Sequence, residues 1–450
     1  MGAKRILIGL VCLVSMVFMV GGVSLAQFVP NTDYDFGGET VTLCSWNAGI
    51  PSRFQPGGAG EGLIEQAEAL FNCKIEFQSA GWMEYDNFLL TRYMAGDATN
   101  DIWQVASGAG YWPLIAKGAL LPLDEVLGDA FYERLHPLDR WKAEAGAYKG
   151  QRYLMTAAID IPEEAIVAHP GWYLQFYNKT MIEEAGAEDP YELWLNGEYD
   201  WDAYSEIMRK VTMDTNGDGT VDQWGMSTDL FSFRSRLWIH ANGGCEAKTD
   251  ENGRAVFALD DGDAARVALE QLRTWQHVDK TMQPPGAADP LQEFIGGRIA
   301  FFTNHGWDYW SVMDNADFEW GILPLPKGPN VDEIQYLSEW GGYALPASAK
   351  QPEALMALFV FLYRGDDEAV LADAEGWNNL WASERDYVVA NAMLKGFRGN
   401  VPGVLTDNSV TAGTCLEIQR AISWEQRAFS EVVAEYKPVL QGLLDDLFGQ

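Results

Sequence analysis

The sequence predicts an α/β protein with two domains, and three observations lead there. The chain has 450 residues, enough for two domains that each bury a core of their own. Residues 39–46, 61–72 and 73–78 read as strand, helix and strand, a βαβ unit that implies parallel pairing. Hydrophobic residues make up 48% and charged residues 21% of the chain, the balance of a globular protein.

Each element follows from its pattern. Residues 39–46 (ETVTLCSW) combine β-branched residues with partial alternation, and a Gly/Pro-rich loop follows over 51–60. In 61–72, Leu63, Ala67, Leu70 and Phe71 fall on one helical face. A helix over 85–95 leads to a strand over 101–105, and a further loop and helix end at 118–124. Residues 130–146 read as helical, 151–160 as extended and 171–177 as a strand. Helices are expected over 179–184, 201–212, 234–242 and 264–278. A short amphipathic piece at 291–295 precedes a strand over 298–303, and 320–326 is extended. From 352 onward the pattern is mainly helical, closing with 432–448.

The N-terminus carries an export signal. Lys4 and Arg5 form a basic start, residues 6–20 are almost wholly apolar, and Ser24 and Ala26 place small residues for cleavage before Gln27. The apolar core is shorter than the roughly 20 residues of a membrane span and ends in Gly21 and Gly22. Cys12 follows Leu10 and Val11, without the small residue a lipoprotein signal needs before its cysteine, so no lipid anchor is expected. The net charge of −34 argues against nucleic acid and anionic membrane surfaces as partners.

Residues 214–225 (DTNGDGTVDQWG) form an acidic loop. Asp214, Asn216, Asp218 and Asp222 occupy positions 1, 3, 5 and 9 of an EF-hand-type loop, Gly219 takes the turn at position 6, and Thr220 offers its carbonyl from position 7. That set suits Ca²⁺, with Gly225 standing where such loops carry a bidentate Glu. The bland alternative is an Asp/Asn/Gly turn without an ion. No G-x-S-x-G, H-E-x-x-H, phosphate-binding or dinucleotide motif is present, and the five histidines are scattered, so no catalytic residue is assigned.

The order of small motifs resembles the family 1 extracellular solute-binding proteins, the sugar-binding group that includes maltose-binding proteins. The pieces are Trp82 and Tyr85 with YMAGD at 93–97, GALLPLD at 118–124, YNK at 177–179, and EAG at 184–186. They continue with Trp201, QWG at 223–225, ANGG at 241–244 and FIGGR at 294–298. GW at 306–307, PLPKGP at 324–329 and GG at 341–342 complete them. Asn100 and GWNNL at 376–380 depart from the family pattern, the second near where relatives meet ligand.

The resemblance implies a two-lobed periplasmic-binding-protein fold (type II-like), each lobe a mostly parallel sheet flanked by helices, with a hinge between. It divides the chain into a signal peptide (1–26), an N-terminal lobe (27–160 and 300–340) and a C-terminal lobe (161–299 and 341–450). Cys44 and Cys73 would share the first lobe, Cys245 and Cys415 the second. These two pairings are therefore the ones expected if disulfides form, since a bridge between lobes would block closure.

The implied function is the solute-binding subunit of an ABC importer: an exported periplasmic monomer that hands a carbohydrate, such as an oligosaccharide, to membrane permease subunits. Ca²⁺ would be a structural brace. The 18 tryptophans supply candidate ligand contacts, because an indole covers the apolar face of a sugar ring while amides and carboxylates match its hydroxyls. Trp46, with Asn47, and Trp307 stand in loops after strands, where ligands of parallel sheets bind. Trp82, Trp340 and Trp377, with Asn378, follow by family position. Asp160 and Trp172 lie near the expected crossover, whereas Trp141, Trp201 and Trp275, on helices, read as packing residues. A secreted carbohydrate-active enzyme and a calcium-dependent lectin-like module are the competing readings.

Overall fold

The structure, a computed structural model, describes residues 30–166, 171–227, 234–284 and 289–449. The export segment expected at 1–26 lies outside the described residues. Among the described residues ten strands occur in chain order: β1 (Thr40–Ser45), β2 (Lys74–Ser79), β3 (Asp101–Ala106), β4 (Tyr173–Asn178), β5 (Trp224–Met226), β6 (Ala247–Thr249), β7 (Ala255–Phe257), β8 (Ile299–His305), β9 (Trp320–Leu323) and β10 (Gly341–Ala344). They form two four-stranded sheets, ordered β10-β3-β1-β2 and β5-β8-β4-β9, and one hairpin, β6-β7.

In the first sheet β1 pairs in parallel with both β2 and β3, as the βαβ reading expects. The central strands are buried nearly end to end, which suits apolar runs covered by helices on both faces. Helix Tyr85–Ala95 is fastened to β3 by a charge pair: Arg92 Nε and Nη2 donate to the buried Asp101 carboxylate at 2.7 and 2.9 Å. A buried carboxylate needs such a partner to stay ionised.

The second sheet departs from expectation. Only β5 and β8 run parallel, whereas β8 and β9 both flank β4 in antiparallel fashion. The mostly parallel sheet expected for each lobe therefore holds for the first sheet alone. Strand direction here depends on partners more than 120 residues away, which local patterning does not encode.

The expected division of the chain is also corrected. Residues 300–340 were assigned to the first lobe, yet β8 and β9 belong to the second sheet. Residues from 341 were assigned to the second lobe, yet β10 returns to the first sheet beside β3, where Gly341 and Gly342 permit the approach. A Cβ at Gly342 would stand 2.8 Å from Leu154 Cδ1. Helix Pro352–Tyr363 stays with the first sheet, against helix Leu63–Leu70 and β3. Helix Glu384–Gly396 then packs on β9, and helices Ala412–Ser423 and Phe429–Phe448 pack with helix Ala264–Arg273 and β7 in the second unit.

Two of the crossing segments meet at Arg364. Fully buried, it donates to the carbonyls of Ile159 (2.6 Å) and Asp160 (2.7 Å) and pairs with Asp367 at 2.7 Å.

Local differences have local causes. The helical stretch at 130–146 is two helices, Asp124–Glu133 and Pro137–Ala145, because Pro137 starts a new helix behind His136. The four cysteines among the described residues, Cys44, Cys73, Cys245 and Cys415, are free thiols, so the expected pairings Cys44–Cys73 and Cys245–Cys415 are not formed. Thr40 opposes Lys74, leaving Cys44 four residues further along β1 than the strand end next to Cys73. That is roughly 13 Å of strand rise, against the about 4.4–6.8 Å between Cα atoms that a disulfide spans. Burial raises the thiols, Cys245 to about 11 and Cys415 to about 12. Among the described residues no helix is long and apolar enough to cross a membrane.

Candidate functional site

A cavity of about 650 Å³ opens between the sheets. The first sheet contributes the carboxyl ends of its strands: Trp46 and Asn47 after β1, Trp82 after β2, and Ser107 and Gly108 after β3. The second contributes Tyr173 at the start of β4, and His305 and Trp307 at the end of β8. The crossing segment before β10 adds Glu339 and Trp340, and the loop before helix Ala412–Ser423 adds Pro402 and Asp407. Its volume falls within the about 300–1,000 Å³ usual for small-ligand pockets.

The aromatic rings are held at defined angles. Trp46 meets Trp82 edge-on (centroids 5.0 Å, 77°) and Tyr85 likewise (5.7 Å, 89°). Trp82 lies so close to the end of β3 that a Cβ on Gly108 would meet its Cζ2 at 2.6 Å. Across the cleft His305 lies flat on Trp307 (3.6 Å, 13°) and against Tyr173 (4.5 Å). Trp82 and Trp307 keep 44% and 48% of their surface exposed, so large flat apolar faces remain open. Trp340 differs. It is buried, donates its indole N–H to Lys142 O at 2.8 Å and packs on Tyr111 and Trp112, presenting only part of its ring to the cavity.

Two of the polar groups, Glu339 and Asp407, are acidic. Asp407 pairs with Arg236 at 3.2 Å, and the buried Arg236 also reaches Glu246 at 3.3 Å. Burial works against the guanidinium charge, and the two carboxylates outweigh it. Glu339 is half-buried and faces the cavity; burial raises its carboxyl to about 7, with Lys142 opposing. The Tyr173 phenol is held well above its ordinary value, first by burial and then by Asp407 and Glu339.

Five of the nine expected ligand residues, Trp46, Asn47, Trp82, Trp307 and Trp340, thus line one cavity. The other four stand elsewhere. Asp160 turns its carboxylate to Arg134 Nε (3.0 and 3.1 Å) and its carbonyl to Arg364, which makes it part of the crossing rather than the cleft. Trp172 is buried, packs on Phe397 and lines a separate cavity of about 290 Å³. Trp377 lines that second cavity too, because residues 376–378 continue the helix Asp367–Asn378 instead of forming a loop. Asn378 ends that helix, half-buried, and lines neither cavity.

Tyr173, His305, Glu339 and Asp407 were not singled out from the sequence. The strand-end argument that selected Trp307 extends to His305, two residues earlier. Nothing local marks Asp407.

The acidic loop joins helix Trp201–Val211 to β5. Its side chains hold it together from within: Asp214 accepts from the amides of Gly217 and Gly219 (2.7 Å each), Asp218 from Thr220 (2.8 Å), and Asp222 from Thr215 (2.8 Å) and Asn216 (3.0 Å). Among the described residues no three His, Cys, Asp or Glu side chains come together as a metal site. The donor chemistry of Asp214, Asn216, Asp218, Thr220 and Asp222 suits a hard cation; the side chains, as placed, serve the loop's own amides. Gly225 has a packing reason. It lies in β5, donates to Thr281 O at 2.9 Å, and its Cβ would meet Met208 Cβ at 2.6 Å, so a Glu does not fit there.

Two α/β units crossed several times by the chain, with an aromatic cavity between them, define a two-lobed solute-binding protein. The pattern of the family described as bacterial extracellular solute-binding protein matches residues 55–367, more than half of the chain, and the chain belongs to that family. No curated protein matches it in sequence. Among solved structures it is similar to the ABC substrate-binding protein Lmo0181 of Listeria monocytogenes in complex with cycloalternan (16% identity, TM-score 0.65, 92% of this chain and 99% of that one). It is similar to the maltose/maltodextrin-binding domain MalE of Bdellovibrio bacteriovorus bound to maltotriose (18%, 0.56, 91% and 97%). A third similar structure is UgpB of Mycobacterium tuberculosis with glycerophosphocholine (19%, 0.61, 90% and 98%).

Proposed function

We propose that this protein captures a carbohydrate for an ABC importer, holding it in the cavity between its lobes. The observation that carries this reading is the make-up of that cavity. Open indole faces from both lobes, Trp82 and Trp307, stand around a few polar groups, Asn47, Glu339 and Asp407. Flat apolar faces suit the C–H side of sugar rings and the polar groups suit hydroxyls. Similar structures hold cycloalternan and maltotriose. A phosphate-bearing solute such as glycerophosphocholine suits this cavity less, because among the described residues no Lys or Arg lines it.

Capture works by closure. A ligand touching both lobes makes more contacts when they approach, so binding shifts the population to the closed form, which the permease subunits recognise. No covalent step is needed. Export to the periplasm with cleavage after Ala26, and a monomeric state, complete the reading; Edman sequencing of the secreted protein should begin at Gln27. Ca²⁺ in the loop at 214–225 is proposed as a brace, supported by its oxygen spacing.

Thermal-shift screening over oligosaccharides, polyols, peptides and glycerophosphodiesters tests the assignment. A saturating ligand at 100 times its Kd adds about 2.7 kcal/mol of stability. A melt that moves with a peptide and with no carbohydrate would refute the substrate class. Release of reducing ends from incubated oligosaccharides would favour the enzyme reading instead.

A further inference from the structure

Resting on the carbohydrate reading above, we propose that the cavity selects a glycan bearing a basic amine, its ammonium paired with the Glu339 carboxylate and its ring faces covered by the cleft tryptophans. The first ground is the charge of the wall. Among the described residues Glu339 and Asp407 line it, and no Lys or Arg does. The acids differ in how they are served: Asp407 has Arg236 at 3.2 Å, whereas Glu339 has no side-chain hydrogen bond or ion pair among the described residues. Of the charged groups facing it, Lys142 on helix Pro137–Ala145 draws on it without reaching ion-pair distance. Arg236 is committed to Asp407 and Glu246, and His305 is stacked on Trp307 beside Tyr173.

A half-buried carboxylate without a side-chain partner is costly, and a ligand cation relieves it. Charge-assisted hydrogen bonds are roughly twice as strong as neutral ones. Indole faces add to this, because Trp is the best cation–π partner among side chains. The overall charge of −34 draws cations toward the protein as well. A uronate or sugar phosphate meets the opposite: two acids, and no Lys or Arg among the described residues of the wall. A neutral glycan satisfies the indoles and leaves Glu339 with hydroxyl donors only.

The test is isothermal titration at pH 7.5 with three matched sets of probes. These are glucosamine and chitosan oligosaccharides, their N-acetylated counterparts, and glucose with cello-oligosaccharides, which differ at C2 as amine, amide and hydroxyl. The expected result is at least tenfold tighter binding of the amine set, with the preference lost in Glu339→Gln. Equal or weaker binding of the amine set overturns the proposal, as does an amine preference that survives Glu339→Gln. If neutral glycans bind and the amines do not, the proposal fails while the carbohydrate reading stands. If no carbohydrate binds, the carbohydrate reading fails first.

Discussion

Two groups of tryptophans show how one residue type serves two purposes. In the second unit Trp201, Trp238 and Trp275 meet edge-on at 4.9–6.3 Å around Tyr204, all nearly sealed from water. Trp275 also donates its indole N–H to Ser205 Oγ at 2.7 Å, which satisfies its polar atom within the cluster. At the cleft, Trp82 and Trp307 lean on one partner each and leave nearly half their surface open. A sealed indole contributes its burial to folding; an open one withholds part of that gain until a ligand covers it. Surface exposure, not residue type, therefore separates the sealed group from the cleft group here.

The largest effect is expected where an indole is sealed. Trp275→Ala should lower stability by about 3–5 kcal/mol, read as a drop in the urea midpoint. If it instead weakened sugar binding without moving the midpoint, the division between the two groups would fail. Next, Trp307→Ala should leave the midpoint within about 0.5 kcal/mol and weaken ligand binding by about tenfold to a hundredfold, or 1.4–2.8 kcal/mol. Titration calorimetry measures the second quantity and denaturation the first.

Glu339 sharpens the comparison from the polar side. Its folded-state carboxyl titrates near 7, above the ordinary value of 4.5. Between those values the folded protein holds a proton that the unfolded chain has lost. The group's contribution to stability is therefore full below about pH 4.5 and falls as pH rises through 7. Glu339→Gln, which cannot ionise, should gain about 1–2 kcal/mol over the wild type at pH 8 after allowance for water in the cleft. At pH 4.5 the two should melt alike. Equal melting at both pH values would mean that a partner compensates the carboxylate.

Much of this division was legible in the sequence. The strand at 39–46, the helix at 85–95 and the strand at 101–105 carry complete local signals, and Trp46 and Trp307 follow from the rule that ligands meet strand ends. Trp377 misled because Gly376 and two asparagines look like a loop, whereas the helix runs through Asn378 and carries Trp377 into the smaller cavity. Asp407 was invisible for a different reason. Its place depends on Arg236, 171 residues earlier, and no local pattern encodes a pair across that distance. The lobe assignment of 300–344 failed likewise, since strand pairing alone decides it.

The smallest effect concerns the acidic loop, which adjoins the sealed group rather than the cleft. Helix Trp201–Val211 carries Trp201 and Tyr204 into the aromatic cluster, and Gln223 ties the far end of the loop to Val211 O at 2.7 Å. A cation held by Asp214, Asn216, Asp218, Thr220 and Asp222 would pin this helix end to β5 without touching any cleft residue. Chelation should then lower stability by about 1 kcal/mol, the linkage expected for a site several-fold above its Kd, and leave sugar affinity unchanged. Asp214→Ala should destabilise the protein more than Asp214→Asn, because the amide can still accept from Gly217 or Gly219. It should also abolish the response to chelator. If chelation removed sugar binding with the melt unmoved, the ion would belong with the ligand and the lectin-like reading would replace the brace. If neither quantity moved, the loop's own hydrogen bonds would suffice to close it, as Gly225 already suffices to pack β5 against Met208.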